Sequence, residues 1–326
     1  MYWILVSSFI FNSDMKKSSW LSFIGKTVVF LLCVFVVDII IGKVFDSFEN
    51  YIYARNPKSM RSDYMIKSLK SDIIVLGASI ASHHYIPTII EDSLNMSVYN
   101  CGFDGMSFIT QNTLLNLMLD RYKPKVIIWE IGEISLEIEK ESEQLNCLYP
   151  YYDTNLQVRQ TVNATEIFQR YRMMSKTYRH NSSILNDFKN LLFLNPVGNK
   201  IDLKGYSPLD TTGYLFPSKI QKKYENTLDN NKLNLLKNTI TRCKSTNINL
   251  VFSSSPRFIE NYDEIKSSKS NQAIIEIADR FEIPILDFYE IYSNDSTLFK
   301  DNAHMNDNGT RKYMGVFIPA LKKVLN

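Results

Sequence analysis

A serine hydroxyl becomes a useful nucleophile when an imidazole can take its proton and a carboxylate steadies that imidazole. Two short stretches near opposite ends of the chain carry these three groups: Asp72-Ile-Ile-Val-Leu-Gly-Ala-Ser79 and Asp301-Asn-Ala-His304. The first reads as a buried strand running into a tight turn, since Ile73 to Leu76 are apolar and Gly77 permits a sharp reversal that presents Ser79. In the second, a carboxylate and an imidazole stand three residues apart, so one helical turn would set both on the same side, with His304 able to take the proton of Ser79.

Four more apolar segments resemble the first strand: Ser97 to Cys101, Lys125 to Trp129, Ile248 to Phe252 and Ile283 to Asp287. Helical stretches lie between them at about Tyr85 to Leu94, Ser107 to Tyr122, Asn231 to Ser245 and Ser270 to Phe281, with a last one from Gly309 to Leu325. Strands alternating with helices predict an α/β fold with a parallel sheet covered on both faces. Such sheets bind ligands beyond the carboxyl ends of their strands, and Ser79, Gly102 and Glu130 all fall just past those ends. Between about 135 and 230 the alternation fails, and Tyr-rich and Asn-rich stretches such as Leu148 to Tyr152 and Gly205 to Tyr214 predict an insertion after the third strand. Leaving from the active rim, its aromatics and Arg159, Arg170, Arg172 and Arg179 could shape a substrate groove, or the segment could be a cap over the sheet edge.

Length and charge narrow the functional classes. At 326 residues the chain has material for an anchor and one catalytic domain, and a net charge of +3 with scattered Lys and Arg leaves no footprint for nucleic acid. The four cysteines show no Cys-x-x-Cys pair, so no zinc site is implied, although one disulfide among Cys101, Cys147 and Cys243 stays open. His83 and His84 follow the serine closely, but adjacent histidines point in different directions and no His-x-x-x-His spacing supports a metal. The glycines match no dinucleotide fingerprint, so no cofactor is expected.

From Thr27 to Ile41 the chain is almost wholly apolar, and apolar residues back to Trp20 extend the run toward the roughly 20 residues a bilayer demands. This predicts a transmembrane anchor over 20–43, with Asp38 near its far end and a buried core helix as the alternative. Lys16, Lys17 and Lys26 precede it, placing residues 1–19 in the cytoplasm and the rest of the chain outside the cell membrane. No small-x-small cleavage site closes the run, so the anchor is expected to stay. Met15-Lys-Lys ahead of it looks like a natural start, which would make Met1 to Asp14 an upstream extension. Residues 44–70 read as a stalk, and 71–326 as the catalytic domain with its insertion.

Three blocks in order resemble the SGNH/GDSL hydrolase family: Leu76-Gly-Ala-Ser79 after a strand, Asn100-Cys-Gly-Phe-Asp-Gly105 after the next, and Phe299-Lys-Asp-Asn-Ala-His304 before a terminal helix. The resemblance implies a flavodoxin-like three-layer α/β/α fold with about five parallel strands. It implies Ser79 as nucleophile, Asp301 as orienting group and His304 as general base. It also implies an oxyanion hole built from the backbone amides of Ser79 and of Gly102 or Gly105. The family's third block, Gly-x-Asn-Asp, is replaced here by Trp129-Glu-Ile-Gly-Glu-Ile-Ser135, where ionised Glu130 or Glu133 could not serve as donors. Membrane-tethered branches of the family, similar to those in teichoic-acid D-alanylation and exopolysaccharide acetylation, vary in this block too.

The expected function is a membrane-anchored serine esterase or O-acyltransferase acting on acyl esters of a surface glycan or similar carrier, with a membrane acyltransferase as a partner in the transfer case. His83 and Arg257 are candidates for substrate binding, Arg257 because Ser253-Ser-Ser-Pro-Arg257 ends the fourth strand on the active rim. Two other readings stand beside it: a catalytically weak glycan-binding or scaffold component of an envelope acyl-transfer system, and a structural envelope protein in which Ser79 and His304 lie far apart.

Overall fold

The structure is a computed structural model that describes residues 17–55, 61–138, 145–165, 168–180, 203–210 and 218–325. The proposed upstream extension, Met1 to Asp14, and part of the Tyr-rich stretch after Asp210 lie outside the described residues.

Five short strands form one parallel sheet: β1 (Ile73–Leu76), β2 (Val98–Asn100), β3 (Val126–Glu130), β4 (Asn249–Ser254) and β5 (Ile285–Asp287), in the order β2-β1-β3-β4-β5. The expected α/β class and strand number are therefore what the chain adopts. All four residues of β1 and all five of β3 are buried, which is why they read as unbroken apolar runs and not as alternating ones. Alternate residues still serve opposite layers. Ile74, Leu76, Ile127, Trp129 and Phe252 face one core, while Ile73, Val75, Val126, Ile128 and Val251 face the other.

The first layer holds α2 (Arg61–Lys67), α5 (Phe108–Arg121), α8 (Asn230–Ser245) and α10 (Lys269–Arg280). The second holds α3 (Ser79–His84), α4 (Pro87–Leu94) and the terminal α11 (Asp307–Leu325), whose Tyr313, Phe317 and Leu321 are buried. Caps fix the helix starts. Ser107 accepts from Thr110 N, Asp229 from Asn231 N and Lys232 N, and Ser268 from Asn271 N. A short helix, α9 (Tyr262–Lys266), precedes α10, and the insertion contributes α6 (Leu156–Thr165) and α7 (Gln169–Arg172).

The described residues begin with a 39-residue helix, α1 (Lys17–Arg55), long and apolar enough to cross a membrane. It is not a core helix. Its apolar side chains stand in the open, from Leu21 at 75% exposure to Ile41 at 39%. The helix continues well past the apolar run to Arg55, and Met65 and Leu69 beyond it are buried in the main core. All four cysteines are free thiols, so the disulfide left open among the last three is absent.

Candidate active site

Sharp backbone geometry brings the serine out of the sheet. A Cβ on Gly77 would lie 2.6 Å from the Ala81 methyl and 3.0 Å from Glu130 Cβ, so only glycine lets β1 turn straight into α3 here. Ser79 is the first residue of α3, half-buried at the carboxyl edge of the sheet. Asn100 at the end of β2 pins this helix, its Nδ2 donating to Ala81 O at 2.6 Å and Tyr85 O at 2.9 Å.

His304 reaches Ser79 across 225 residues of sequence, with Nε2 2.8 Å from the serine Oγ. The other ring nitrogen, Nδ1, lies 2.9 Å and 3.0 Å from the two carboxylate oxygens of Asp301. This fixes the tautomer: Nδ1–H donates to Asp301, leaving the Nε2 lone pair for the serine proton. The segment is not the helical turn expected from its spacing. Asp301 Oδ1 also accepts from the backbone amides of Ala303 and His304, both at 2.8 Å, so the side chain closes a bend on its own backbone and the helix waits until Asp307. Partial burial works against the Asp301 charge. The hydrogen bond from His304 and the two amides outweigh it and hold the carboxyl at about 2.

A second histidine supports the first. His84 is fully buried, and burial together with nearby Arg257, His304 and His83 pushes its pKa well below the usual imidazole value. Its neutral Nε2 accepts from Met305 N at 2.8 Å, which holds the backbone directly after His304. Its Nδ1–H therefore points to Ser255 Oγ, 2.8 Å away, and Ser255 in turn donates to Glu130 Oε1 at 3.1 Å. Glu130 pairs with Arg257 Nη2 at 2.7 Å and accepts from Tyr85 OH, so a wholly buried polar chain runs from Arg257 to the loop that follows His304. His84, Ser255 and Glu130 had no assigned role in the sequence. A carboxylate ending an otherwise apolar strand, opposite Ser253 in the register, was the signal for Glu130.

Arg257 was a candidate for holding a substrate anion, but its Nη atoms serve other partners. They donate to Glu130, to Ser255 O at 2.6 Å and to Pro256 O at 3.2 Å, and only 3% of the residue is exposed. His83 packs edge-on to His304 at 5.2 Å between ring centroids. Its Nδ1 donates to Ser207 O at 2.5 Å, and Asp104 Oδ1 lies 3.1 Å from Nε2. The expected oxyanion donors divide. The Ser79 amide belongs to the first turn of its helix, where no intrahelical acceptor is available. Gly102 N, in contrast, donates to Asn100 Oδ1 at 3.0 Å, and Gly105 lies two residues beyond Phe103 in a left-handed turn conformation (φ 74°). Glu133 is 1% exposed with neither carboxylate oxygen partnered among the described residues, and burial raises its pKa, opposed by Arg257 and Lys222.

A cavity of about 470 Å³ is bounded by Ala78 and Ile80, the residues on either side of Ser79, while Ser79, Asp301 and His304 themselves do not line it. Met106, Phe108 and Ile134 form apolar wall, and the charged groups of the lining balance in sign, Lys222, Lys223 and Arg257 against Glu130, Glu137 and Glu225. The insertion thus reaches the cavity at both its ends, through Ser135, Glu137 and Ile138 and through Lys222 to Glu225. Its arginines lie elsewhere: Arg179 pairs with Asp153 at 2.5 Å, and Arg159 donates to Asp153 O at 2.8 Å. A strap at 203–210 flanks the histidines instead, through Ser207 N to Ser82 O at 2.9 Å and Tyr206 OH to Asp307 Oδ1 at 2.7 Å. Gly205 lets it pass, since a Cβ there would stand 2.0 Å from Asn100 O at a φ of 87°.

Among solved structures, the chain is similar to the acetyl xylan esterase AlAXEase, at 11% identity and a TM-score of 0.41 over 76% of this chain and 98% of that one. The esterase EstA from Pseudoalteromonas sp. gives 11% identity and a TM-score of 0.41 over 78% and 98% of the two chains. The lipase/acylhydrolase from Enterococcus faecalis gives 9% and 0.39 over 77% and 95%. Likenesses this distant do not reach to activity or substrate. No family model and no curated protein sequence matches the chain. Among the described residues, no group of three or more His, Cys, Asp and Glu side chains is placed to hold a metal ion.

Proposed function

We propose that this protein is a serine-dependent enzyme of acyl esters, an esterase or an O-acyltransferase, in the SGNH/GDSL manner. The observation that carries the reading is the continuous line from Asp301 through His304 to Ser79, with 2.9 Å and 2.8 Å contacts. In the first step Ser79 Oγ attacks the ester carbonyl as its proton passes to His304 Nε2. The imidazolium so formed is stabilised by Asp301, which is ionised at any pH above about 2. The tetrahedral intermediate expels the alcohol, which takes the proton from Nε2, and the acyl group stays on Ser79. A water molecule or an acceptor hydroxyl then gives its proton to Nε2 and attacks the acyl carbon, and as the acyl–Oγ bond breaks Nε2 returns that proton to Ser79 Oγ.

The cavity bounded by Ala78 and Ile80 would take the part of the substrate next to the ester, its apolar wall and charges of both signs suiting a polar carrier such as an acylated surface glycan. The apolar stretch of α1 would anchor the enzyme in the cell membrane with residues after it outside, and a membrane acyltransferase would supply acyl groups in the transfer case.

A second reading, a catalytically weak binding or scaffold component, is favoured by the Gly102 amide being occupied by Asn100 and by the absence of the third-block asparagine. One experiment separates the two. A fluorophosphonate probe should label the wild-type chain and not Ser79→Ala, whereas an unlabelled wild type would support the scaffold.

A further inference from the structure

We propose that the surface of the insertion made by Phe168, Tyr171 and Met174, with Arg170 and Arg172 among them, docks onto an anionic bilayer surface beside α1. The proposal rests on the reading of α1 as a membrane span.

The geometry begins with Asp38, the one acidic residue in the apolar stretch of α1. Its carboxylate accepts from Ser175 Oγ at 2.7 Å, Lys176 N at 2.7 Å and Thr177 N at 3.1 Å, capping the 3₁₀ turn Thr177–His180. The contact then climbs the helix. Gly42 lies so close to Lys176 that a Cβ there would come within 2.3 Å of the Lys176 Cβ. Higher still, His180 is held between Glu49 at 2.8 Å and Asp46 at 3.1 Å. The segment from Ser175 to His180 therefore runs along α1 away from its apolar end, and residues just before Ser175 sit at the level of Asp38.

That level can be placed against a bilayer. From Trp20 to Asp38 the helix rises about 27 Å at 1.5 Å per residue, close to the roughly 30 Å of a hydrocarbon core. Asp38 then marks the edge of the hydrocarbon, where its hydrogen bonds to the insertion supply what lipid cannot. Exposed apolar side chains lie within the two turns before Ser175: Phe168 is 68%, Tyr171 54% and Met174 65% exposed. Exposed apolar side chains clustered in this way mark an interaction surface. Arg170 lies over the Tyr171 ring, 4.7 Å from its centroid, and donates to its hydroxyl at 2.6 Å. Aromatic rings interleaved with arginines at the hydrocarbon edge match what headgroups offer, with the guanidinium groups facing lipid phosphates. Ser175 and Lys176 tie the end of this segment to Asp38 of α1, so lipid around the helix would lie beside the patch and cover it. The docked patch would hold the catalytic domain at a fixed height and tilt above the membrane.

The test uses the full chain with its native cysteines replaced by serine, reconstituted in vesicles of phosphatidylcholine and phosphatidylglycerol. An environment-sensitive fluorophore is placed at Tyr171→Cys or at Val29→Cys, and quenching by lipid-borne spin labels near the headgroup and near the chain end is compared. We expect the headgroup label to cut emission at position 171 by about half or more, and the chain-end label to do so at position 29, midway between Trp20 and Asp38. Quenching at 29 alone, whether or not copies associate through position 171, would overturn the docking and leave the span intact. Quenching at neither position, or at 171 alone, would overturn the span and with it this placement.

Discussion

Replacing Asp301 by Asn tests the division of labour within the triad. The carboxylate accepts the Nδ1–H of His304, fixing the tautomer, and in the proposed mechanism it would stabilise the imidazolium that forms when Ser79 loses its proton. For charge centres about 4 Å apart the attraction is about 4 kcal/mol at the effective dielectric of a protein surface and about 1 kcal/mol in bulk water. Asp301 is 52% and His304 22% exposed at the side chain, so solvent screening brings the expected value to about 2–4 kcal/mol. At 1.36 kcal/mol per decade, that is about a 30- to 1,000-fold loss in kcat. The asparagine would still accept from the Ala303 and His304 amides, so the bend itself survives. The assay is steady-state turnover of a chromogenic acetyl ester, with Tm measured alongside to show that the variant is folded. A folded Asp301→Asn enzyme with unchanged kcat would refute the role given to this carboxylate.

Other consequences follow from the buried chain behind the triad and from the anchor contact. Removing the His84 acceptor with His84→Phe frees Met305 N and should lower kcat about 10- to 100-fold with KM little changed; an equal loss through KM would contradict a positioning role. Glu130→Gln leaves the Arg257 charge buried without its partner and should cost about 3–5 kcal/mol of stability by denaturant unfolding, with an unchanged midpoint contradicting this. Burial opposes a charge on His180, but Glu49 and Asp46 outweigh it and raise its pKa above the ordinary imidazole value. A raised folded-state pKa stabilises the contact fully below about 6.5 and loses that stabilisation as pH rises through the raised value. Hydrogen exchange of the amides from Lys176 to His180, corrected for intrinsic rate, should therefore quicken as pH is raised through that window; a flat profile would contradict it.

The strands were legible because a sheet covered on both faces demands uninterrupted apolar runs, and Ile73 to Leu76 or Val126 to Trp129 have no other use. The helix opening at Ser79 was not, since Ser-Ile-Ala-Ser-His-His is short and Ala78 offers no side-chain cap. The spacing of Asp301 and His304 pointed to two side chains that do meet, but through the wrong geometry, because an Asp side chain can satisfy its own backbone and replace a helical turn with a bend. Arg257 stood on the predicted rim, but only the pairing of β3 with β4 brings Glu130 to it across 127 residues. The same holds for Asp38. Read along the chain it is a charge in an apolar helix, and only the fold supplies Ser175, Lys176 and Thr177 as its partners.

The central measurement is turnover of an acetyl ester by wild type, Ser79→Ala and His304→Ala, with intact-mass detection of an acylated chain during turnover. An activated hydroxyl at the end of β1 predicts a transient acetyl adduct on a Ser79 peptide and loss of turnover in both variants. Undiminished turnover by Ser79→Ala, or an adduct on any other residue, would contradict it.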